Sequence, residues 1–470
     1  MTIPLASNPL PRRIGLLGCA LLALGGLNGR VRAEATSRPA EPPSPERGFW
    51  LLTNKPLSSP ILSIDEMHRL WTVWEPALRA TAERSAPEER RRMTFERYGF
   101  IEREFDASGL PLGYTADGQG NLVTNCFACH GGKVAGRSYP GLANSHQDLT
   151  TLMTDLGRLR AADRGETAPT TEAAAPLGIP LNFAKGFSNA TMFSLALGAF
   201  RDKDLNLIFP KQIPKMVHND IDAPAWWNFK HKQKIYCDAF APPTARTLMQ
   251  FTMSPYISGD TIRSWEPDFE HIRAYLQNLE PPKYPFPIDE PMALRGRKVF
   301  EQTCARCHGT YGPDGEYPHK VVPFQEIGTD PVRLGAVSRE AREAYNQSWF
   351  SHYGEHPVDV ESTGYLAPPL RGVWATAPYL HNGSVPTVYH LFHSGERPRL
   401  WRRTENGYDQ ERLGIEVEAL DAVPEGLSPR ERRMYYDVSV PSHGNQGHLF
   451  PEQELNEPER RWVIEYLKTL

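Results

Sequence analysis

Two stretches of this 470-residue chain carry the same pattern, Cys126-Phe127-Ala128-Cys129-His130 and Cys304-Ala305-Arg306-Cys307-His308. Both are C-x-x-C-H. Two thiols three positions apart can add to the two vinyl groups of one haem, and the adjoining histidine then lies under the iron as proximal ligand. The same pairs could serve other chemistry. A single Cys₄ zinc site would have to join pairs 178 positions apart, and it gives the histidine after each pair no role. A thioredoxin-like dithiol follows a strand and opens a helix in a βαβ pattern, which neither pair does. Two covalently bound haem c groups are therefore expected, held by Cys126, Cys129, Cys304 and Cys307, with His130 and His308 on the irons. Cys237 stands alone in Lys234-Ile235-Tyr236-Cys237-Asp238 and is assigned no function.

The rest of the chain must position these motifs. With 52 Lys+Arg against 56 Asp+Glu the net charge is −4, which leaves no basic footprint for nucleic acid. The 40% hydrophobic and 23% charged fractions are those of a globular protein, and the length suggests two to three domains. Prolines number 43, against 37 glycines, so short helices separated by fixed turns are expected. Arg12 and Arg13 precede an apolar run from Ile14 to Leu27, and Val31-Arg32-Ala33 supplies a small-residue cleavage site. That is the layout of a secretory signal peptide over residues 1–33, which predicts a periplasmic protein. Leu16-Leu17-Gly18-Cys19 resembles a lipoprotein box, but its apolar stretch lies mostly on the wrong side of the cysteine, and an uncleaved N-terminal anchor is the other alternative. No later segment has about 18 uninterrupted apolar residues, so the mature chain is expected to be soluble. Without Cys19 five cysteines remain, an odd number that does not suit a disulfide framework.

Ser63 followed by Glu66 is a capping box, and Met67, Leu70, Trp71, Trp74 and Leu78 then fall at helical spacing. The first haem motif follows Gly118-Gln119-Gly120-Asn121 in a loop, and Ala161 to Pro180 has the composition of a surface insertion. A helix is predicted from Ser188 or Asn189 to about Phe200, and another carries Phe269, Ile272, Leu276 and Leu279 until Pro281 and Pro282 stop it. Ala293 to Gln302 predicts a helix leading into the second motif, and Asn456 with Pro458 opens a last one with Trp462, Val463, Tyr466 and Leu467 on its apolar stripe. The organisation expected is an N-terminal extension over 34–115, an N-terminal haem domain over 116–285 and a C-terminal cytochrome c domain over 286–470.

The segment from Gly364 through Leu366-Ala367-Pro368-Pro369-Leu370-Arg371-Gly372 to Leu380-His381-Asn382-Gly383-Ser384-Val385-Pro386-Thr387 resembles the signature region of the bacterial di-haem cytochrome c peroxidase superfamily. That superfamily includes the cofactor-maturing enzyme MauG and the rubber oxygenases, and the sequence is most similar to the rubber-oxygenase-like branch. The resemblance spans about residues 120 to 470. It implies a mainly α fold with two cytochrome c-type haem domains facing each other, joined by long irregular loops, and calcium between them as in the peroxidases proper. It further implies that the C-terminal haem has two protein ligands and transfers electrons, whereas the N-terminal haem takes the oxidant. The methionine that the peroxidases place 14 residues beyond the signature histidine is missing, since that position is Gly395. The branch with a Gly-His near the C-terminus is matched instead by Gly447-His448, so His448 is the implied second ligand, with His393 and His390 as alternatives. His146 stands 16 residues after His130, where the peroxidases have a removable ligand. His381 is expected to be structural rather than an iron ligand. Trp226 and Trp227, in Pro224-Ala225-Trp226-Trp227-Asn228-Phe229, are candidates for an electron relay between the haems or for plain core packing.

Four readings of function stay open. The first is an exported, peroxidase-like di-haem oxidoreductase that uses peroxide or dioxygen and a small redox protein as electron donor or acceptor. The others are an electron carrier with both irons fully ligated and no substrate of its own, a rubber-oxygenase-like dioxygenase, and a haem-based sensor. No distal acid or base can be named from sequence alone, and the oligomeric state is open.

Overall fold

The computed structural model describes residues 42–169, 171–172, 181–209 and 217–470. The signal peptide, lipoprotein and anchor expectations lie outside the described residues, as do residues 170 and 173–180 of the surface insertion, whose first three residues end the helix Leu149–Asp163. Residues 43–470 form one packed unit, helical for the most part with short antiparallel sheets. Among the described residues no helix is long and apolar enough to cross a membrane.

Each haem motif belongs to a half built around two crossed helices. In the C-terminal half the helix Glu290–Thr303 crosses the last helix, Glu457–Leu467, which is capped by a reciprocal Asn456–Glu459 box with Pro458 in its first turn. The crossing is close because Gly296 lies there: a Cβ on it would come within 1.8 Å of the Trp462 carbonyl oxygen. Phe300, Val463, Tyr466 and Leu467 fill the core on that side. In the N-terminal half the helix Pro45–Asn54 crosses Glu266–Asn278 at Gly48, where a Cβ would meet the His271 carbonyl oxygen at 2.1 Å. Leu51, Phe127, Phe269, Ile272 and Leu276 are buried together there. The helix Pro45–Asn54, placed by the sequence in an N-terminal extension, is thus a packing element of the first motif.

Between that helix and the motif the chain inserts a small layer of its own. Ser63 and Glu66 form the expected capping box, but the helix it opens ends at Arg69. A 3₁₀ turn over Leu70–Val73 follows, Trp74 is extended, and Pro76 starts a new helix to Arg84. Proline lacks an N–H and clashes with the preceding turn, so the apolar spacing from Met67 to Leu78 cannot be one helix. Met67, Leu70 and Trp74 pack on Leu152, Leu156 and Leu159 of the helix Leu149–Asp163. Strand Pro60–Ser63 pairs antiparallel with Asn121–Thr124, which also pairs with Tyr114–Ala116. The helix Ala190–Ala199 agrees with its predicted span to a residue at each end.

A three-stranded antiparallel sheet in the C-terminal half has no counterpart in the sequence analysis. Its central strand Leu400–Asp409 pairs with Gly414–Ala419 on one side and Tyr435–Asp437 on the other. Trp401, Ile415 and Tyr436 join the core of that half.

Candidate haem-binding sites

Strand Asn121–Thr124 delivers the chain to the first motif, and Cys126 to His130 make a single helical turn. Asn125 fixes the entry: its Oδ1 accepts from the Phe127 N–H at 2.9 Å and its Nδ2 donates to the Leu112 carbonyl at 3.0 Å. His130 Nδ1 donates to the Pro224 carbonyl oxygen at 3.0 Å. A carbonyl can only accept, so Nδ1 carries the proton and Nε2 keeps its lone pair for a metal. The Trp226 ring stacks on that imidazole, 4.6 Å between centres and 25° between planes. Burial pushes His130 down to about 4, against the opposing pull of the Pro224 carbonyl, so the ring is the neutral form that ligation needs.

The second motif follows directly from the helix Glu290–Thr303, with Cys304 as its C-cap, its N–H on the Phe300 carbonyl at 2.8 Å. His308 Nδ1 donates to the Pro368 carbonyl at 2.8 Å, the same device as at the first motif. Burial lowers His308 too. The four motif thiols are free, and burial pushes Cys126 up to about 12 and Cys304 to about 11. Reactive dithiol sites have depressed thiol pKa values, so this is the reverse of a redox C-x-x-C. Among the described residues no group of three or more His, Cys, Asp or Glu is placed to hold a metal ion, so the two cysteine pairs do not converge on one zinc.

Across from His308 stands His448, with ring centres 6.2 Å apart and planes at 58°. Two imidazoles on opposite sides of one metal, each at about 2 Å, have their centres about 6 Å apart. The spacing therefore fits an iron between them, and this pair is the observation on which the fit of haem rests. The loop that presents His448 is tightly held. Gly447 and His448 both take left-handed backbone, φ 81 and 54, and the His448 N–H donates to the Ile327 carbonyl at 2.8 Å. Arg397 donates to the carbonyls of Asn445 at 2.6 Å and Gly447 at 2.9 Å, while its Nε reaches the His390 carbonyl. His448 Nδ1 is buried with no partner.

The alternatives are engaged elsewhere. Both nitrogens of His393 are hydrogen-bonded, Nδ1 donating to the Tyr389 carbonyl at 2.9 Å and Nε2 paired with the Glu457 carboxylate at 2.8 Å, and His390 Nδ1 meets the Thr387 hydroxyl at 2.8 Å. His381 stacks on Tyr365 with centres 4.1 Å apart, and burial together with the nearby Arg333 pushes it to about 3. No second imidazole stands opposite His130 among the described residues in the way His448 stands opposite His308. His146 is nevertheless unusual: both its ring nitrogens are buried without partners, beside Lys133, Arg403 and Tyr408. Burial, reinforced by Arg403, Lys185 and Lys133, holds it well below its ordinary value.

The segment Pro224–Asn228 touches the first motif and the stretch that holds the second. Pro224 receives His130, Trp226 stacks on it, Trp227 Nε1 donates to the Arg371 carbonyl at 2.7 Å, and Asn228 Nδ2 donates to the carbonyls of Pro369 and Arg371. Pro368, next to Pro369, is the acceptor for His308. Trp227 is buried in the core of the C-terminal half although it lies between the motifs in sequence. The two proline carbonyls were missed by sequence reasoning, although each lies in a stretch it singled out; a backbone acceptor leaves no side-chain signature.

Residues 364–402 match the family model described as RoxA-like, cytochrome c-like. The stretch includes Pro368, Arg371, His381, His393 and Arg397, and in this part the chain is similar to a cytochrome c-like domain. Uncharacterized protein y4iM of Sinorhizobium fredii (strain NBRC 101917 / NGR234) is 31% identical over 205 residues, 38% of this chain and 45% of that protein. Uncharacterized protein y4iJ of the same strain is 26% identical over 258 residues, 41% of each. The chain thus spans less than half the length of the curated relatives it matches.

Proposed function

We propose that this protein is an exported, periplasmic di-haem c-type cytochrome oxidoreductase, peroxidase-like, with the His130 site for peroxide or dioxygen and the His308 site for electron exchange with a small redox protein. Haem c at each motif would supply an iron able to take up single electrons and, where protein leaves one axial side accessible, a small oxidant. The observation that carries the reading is the asymmetry of the histidines: His448 faces His308, and no imidazole of the described residues faces His130 in that way.

The side chains support a division of labour. Pro224 and Pro368 hold His130 and His308 in the tautomer that turns Nε2 to the metal. Arg397 and the left-handed turn at Gly447 keep His448 opposite His308, which favours a site that changes little with oxidation state. Trp226 stacks on His130, and Trp227 donates to the Arg371 carbonyl, three residues beyond the Pro368 that holds His308, which supports the pair as the relay.

Mass spectrometry of protein expressed with a haem-attachment system should show two haems, and titration of the reduced protein with carbon monoxide should bind one equivalent per chain. Zero equivalents would replace the enzyme by an electron carrier. That second reading has one observation in its favour, the unpartnered nitrogens of His146, which would be satisfied by an iron. Comparing turnover of peroxide by a reduced small cytochrome with uptake of dioxygen decides which oxidant the His130 site takes.

A further inference from the structure

Asp238 is fully buried and accepts from two guanidinium groups, Arg333 Nη2 at 2.8 Å and Arg342 Nη2 at 2.7 Å. Both arginines are buried as well. Arg342 is otherwise satisfied, since its Nε donates to the Val337 carbonyl and its Nη1 to the Asp359 carbonyl. Arg333 is not: its Nε and Nη1 are buried without any partner. Two cations share one carboxylate, which leaves a net positive charge inside the protein. Arginine cannot shed its proton to relieve this, and an unpaired buried charge is strongly unfavourable, so the site calls for an anion.

Among the described residues no carboxylate meets the Nε and Nη1 of Arg333: Asp330, the acid three residues before it, accepts from the Val332 and Gly444 N–H groups instead. Besides Asp238, the groups that feel the charge of Arg333 are Cys237, Tyr236, Tyr365 and His381, and burial pushes the Tyr236 hydroxyl up so that it stays neutral. Burial pushes the Cys237 thiol up to about 11 and His381 down to about 3, so both are neutral near pH 7. The Tyr365 hydroxyl donates to the Asp330 carbonyl at 2.5 Å and keeps its proton. Lys232, beside Cys237, adds a second cation; burial pulls it down to about 8, and no carboxylate among the described residues offsets that. The place of this cluster in the fold identifies the guest. The Cys237 carbonyl accepts from the Leu366 N–H at 2.7 Å, two residues before Pro368, which holds His308. Asp330, which receives Tyr365, accepts the Gly444 N–H through its own Oδ2, at the head of the loop that carries His448. The cations therefore lie between the elements that present the two facing imidazoles.

We propose that Arg333, with Lys232, binds the carboxylate side chains of the haem attached to Cys304 and Cys307, and that Asp238 and Arg342 hold Arg333 in place for it. The proposal rests on the di-haem reading. A haem attached by its vinyl edge to the cysteines has its two carboxylates on the remaining edge, where a buried guanidinium with free N–H groups is the matching partner.

The test uses the full chain with haem attached, titrated spectroelectrochemically at pH 7. A cation beside a haem favours the reduced state, so Arg333→Met should move the wave of the low-spin His308 haem to lower potential. Its spectrum and the other wave should be unchanged. Lys232→Met should give a smaller shift in the same direction and Arg333→Lys the smallest; these two variants stand in if Arg333→Met does not accumulate. An unmoved wave in all variants, or movement of the His130 haem alone, would overturn the proposal while mass spectrometry still shows two haems. A second motif without haem by mass would instead sink the di-haem reading and this proposal together. The anion could also be a free one from solution. A wild-type wave that is the same with and without inorganic phosphate supports the haem carboxylates; a phosphate-dependent wave that loses this dependence in Arg333→Met overturns that assignment.

Discussion

The first motif is entered from a strand and the second from a fourteen-residue helix, yet both histidines end with Nδ1 on a proline carbonyl and both halves close on a pair of helices crossing at a glycine. They part on the far side of the imidazole. His308 faces His448, held by Arg397 and the Ile327 carbonyl, whereas His130 has Trp226 stacked on it and no facing imidazole among the described residues. What is alike in the two halves orients a ring, and what differs determines what the ring's metal can meet. The difference is made by long-range contacts: His448 lies 140 positions beyond His308, and the Arg397 that fixes its loop comes from the sheet-bearing region between.

The most drastic way to break the comparison is to remove one motif at a time. Cys304→Ser with Cys307→Ser, and separately Cys126→Ser with Cys129→Ser, should each lower the mass by one covalently bound haem. The first pair should also abolish the bis-histidine low-spin spectrum, and the second should abolish carbon monoxide binding. If both variants lost the same signal, the two motifs would not have the separate roles assigned to them.

A smaller effect follows from His448→Ala, which should convert one haem from low-spin to high-spin and raise carbon monoxide binding from one equivalent per chain to two. The His448 ring lacks the second-nitrogen partner that His130 and His308 both have. Such a partner raises ligand basicity, so His448 should be the axial ligand that yields first to imidazole or cyanide added to the wild type.

How much of this was legible in the sequence follows from how local each determinant is. C-x-x-C-H is legible because the attachment chemistry itself fixes the spacing, and the last helix is legible because Asn456, Pro458 and Glu459 sit at its first turn. The helix opened by Ser63 had its start written in the sequence, but not its end, since the apolar spacing continues through Pro76 while the backbone cannot. The strand Leu400–Asp409 was illegible for the opposite reason. Its Arg402-Arg403-Thr404 run shows no alternation, and it is held by pairing on both sides and by Trp401 and Tyr436 stacked at 4.9 Å. At the site, the side chains with a motif could be named from sequence. Pro224, Pro368, Arg333 and Asp238 act through a carbonyl or a distant ion pair, and nothing local marks them.

The halves are also tied by Asp220, which precedes Trp226 in the chain and accepts from His218 and from His443, both at 2.9 Å; His443 lies just ahead of the His448 loop. Burial opposes ionisation of Asp220, but the two imidazoles outweigh it and hold the carboxyl at about 2, below its ordinary 3.8. A carboxyl lowered in the folded state stabilises fully above the unfolded value and stops doing so as pH falls through the folded one. Asp220 should therefore contribute about 2 kcal/mol near pH 7, a contribution lost between about pH 4 and 2. In urea titrations Asp220→Asn should be less stable by that order at pH 7, with the gap closing toward pH 2. A gap independent of pH would mean the loss comes from packing rather than from charge.

The finest test concerns the bridge between the halves. Trp227→Phe removes the N–H that donates to the Arg371 carbonyl at 2.7 Å, but Asn228 still donates to the same oxygen at 3.2 Å. The acceptor is not orphaned, so the lost bond should account for about 1 kcal/mol, to which the space left by the smaller ring in the core adds. Trp226→Phe leaves that bond intact and removes instead the indole stacked on His130. If the tryptophans relay electrons, both variants should slow redistribution between the haems after flash photolysis of carbon monoxide from half-reduced protein. Trp226→Phe should slow it more, because Trp226 alone touches the ring at the oxidant site. A double variant that redistributes electrons at the wild-type rate, while losing only stability, would reduce the pair to core packing and leave the asymmetry of the two histidine sites without this link.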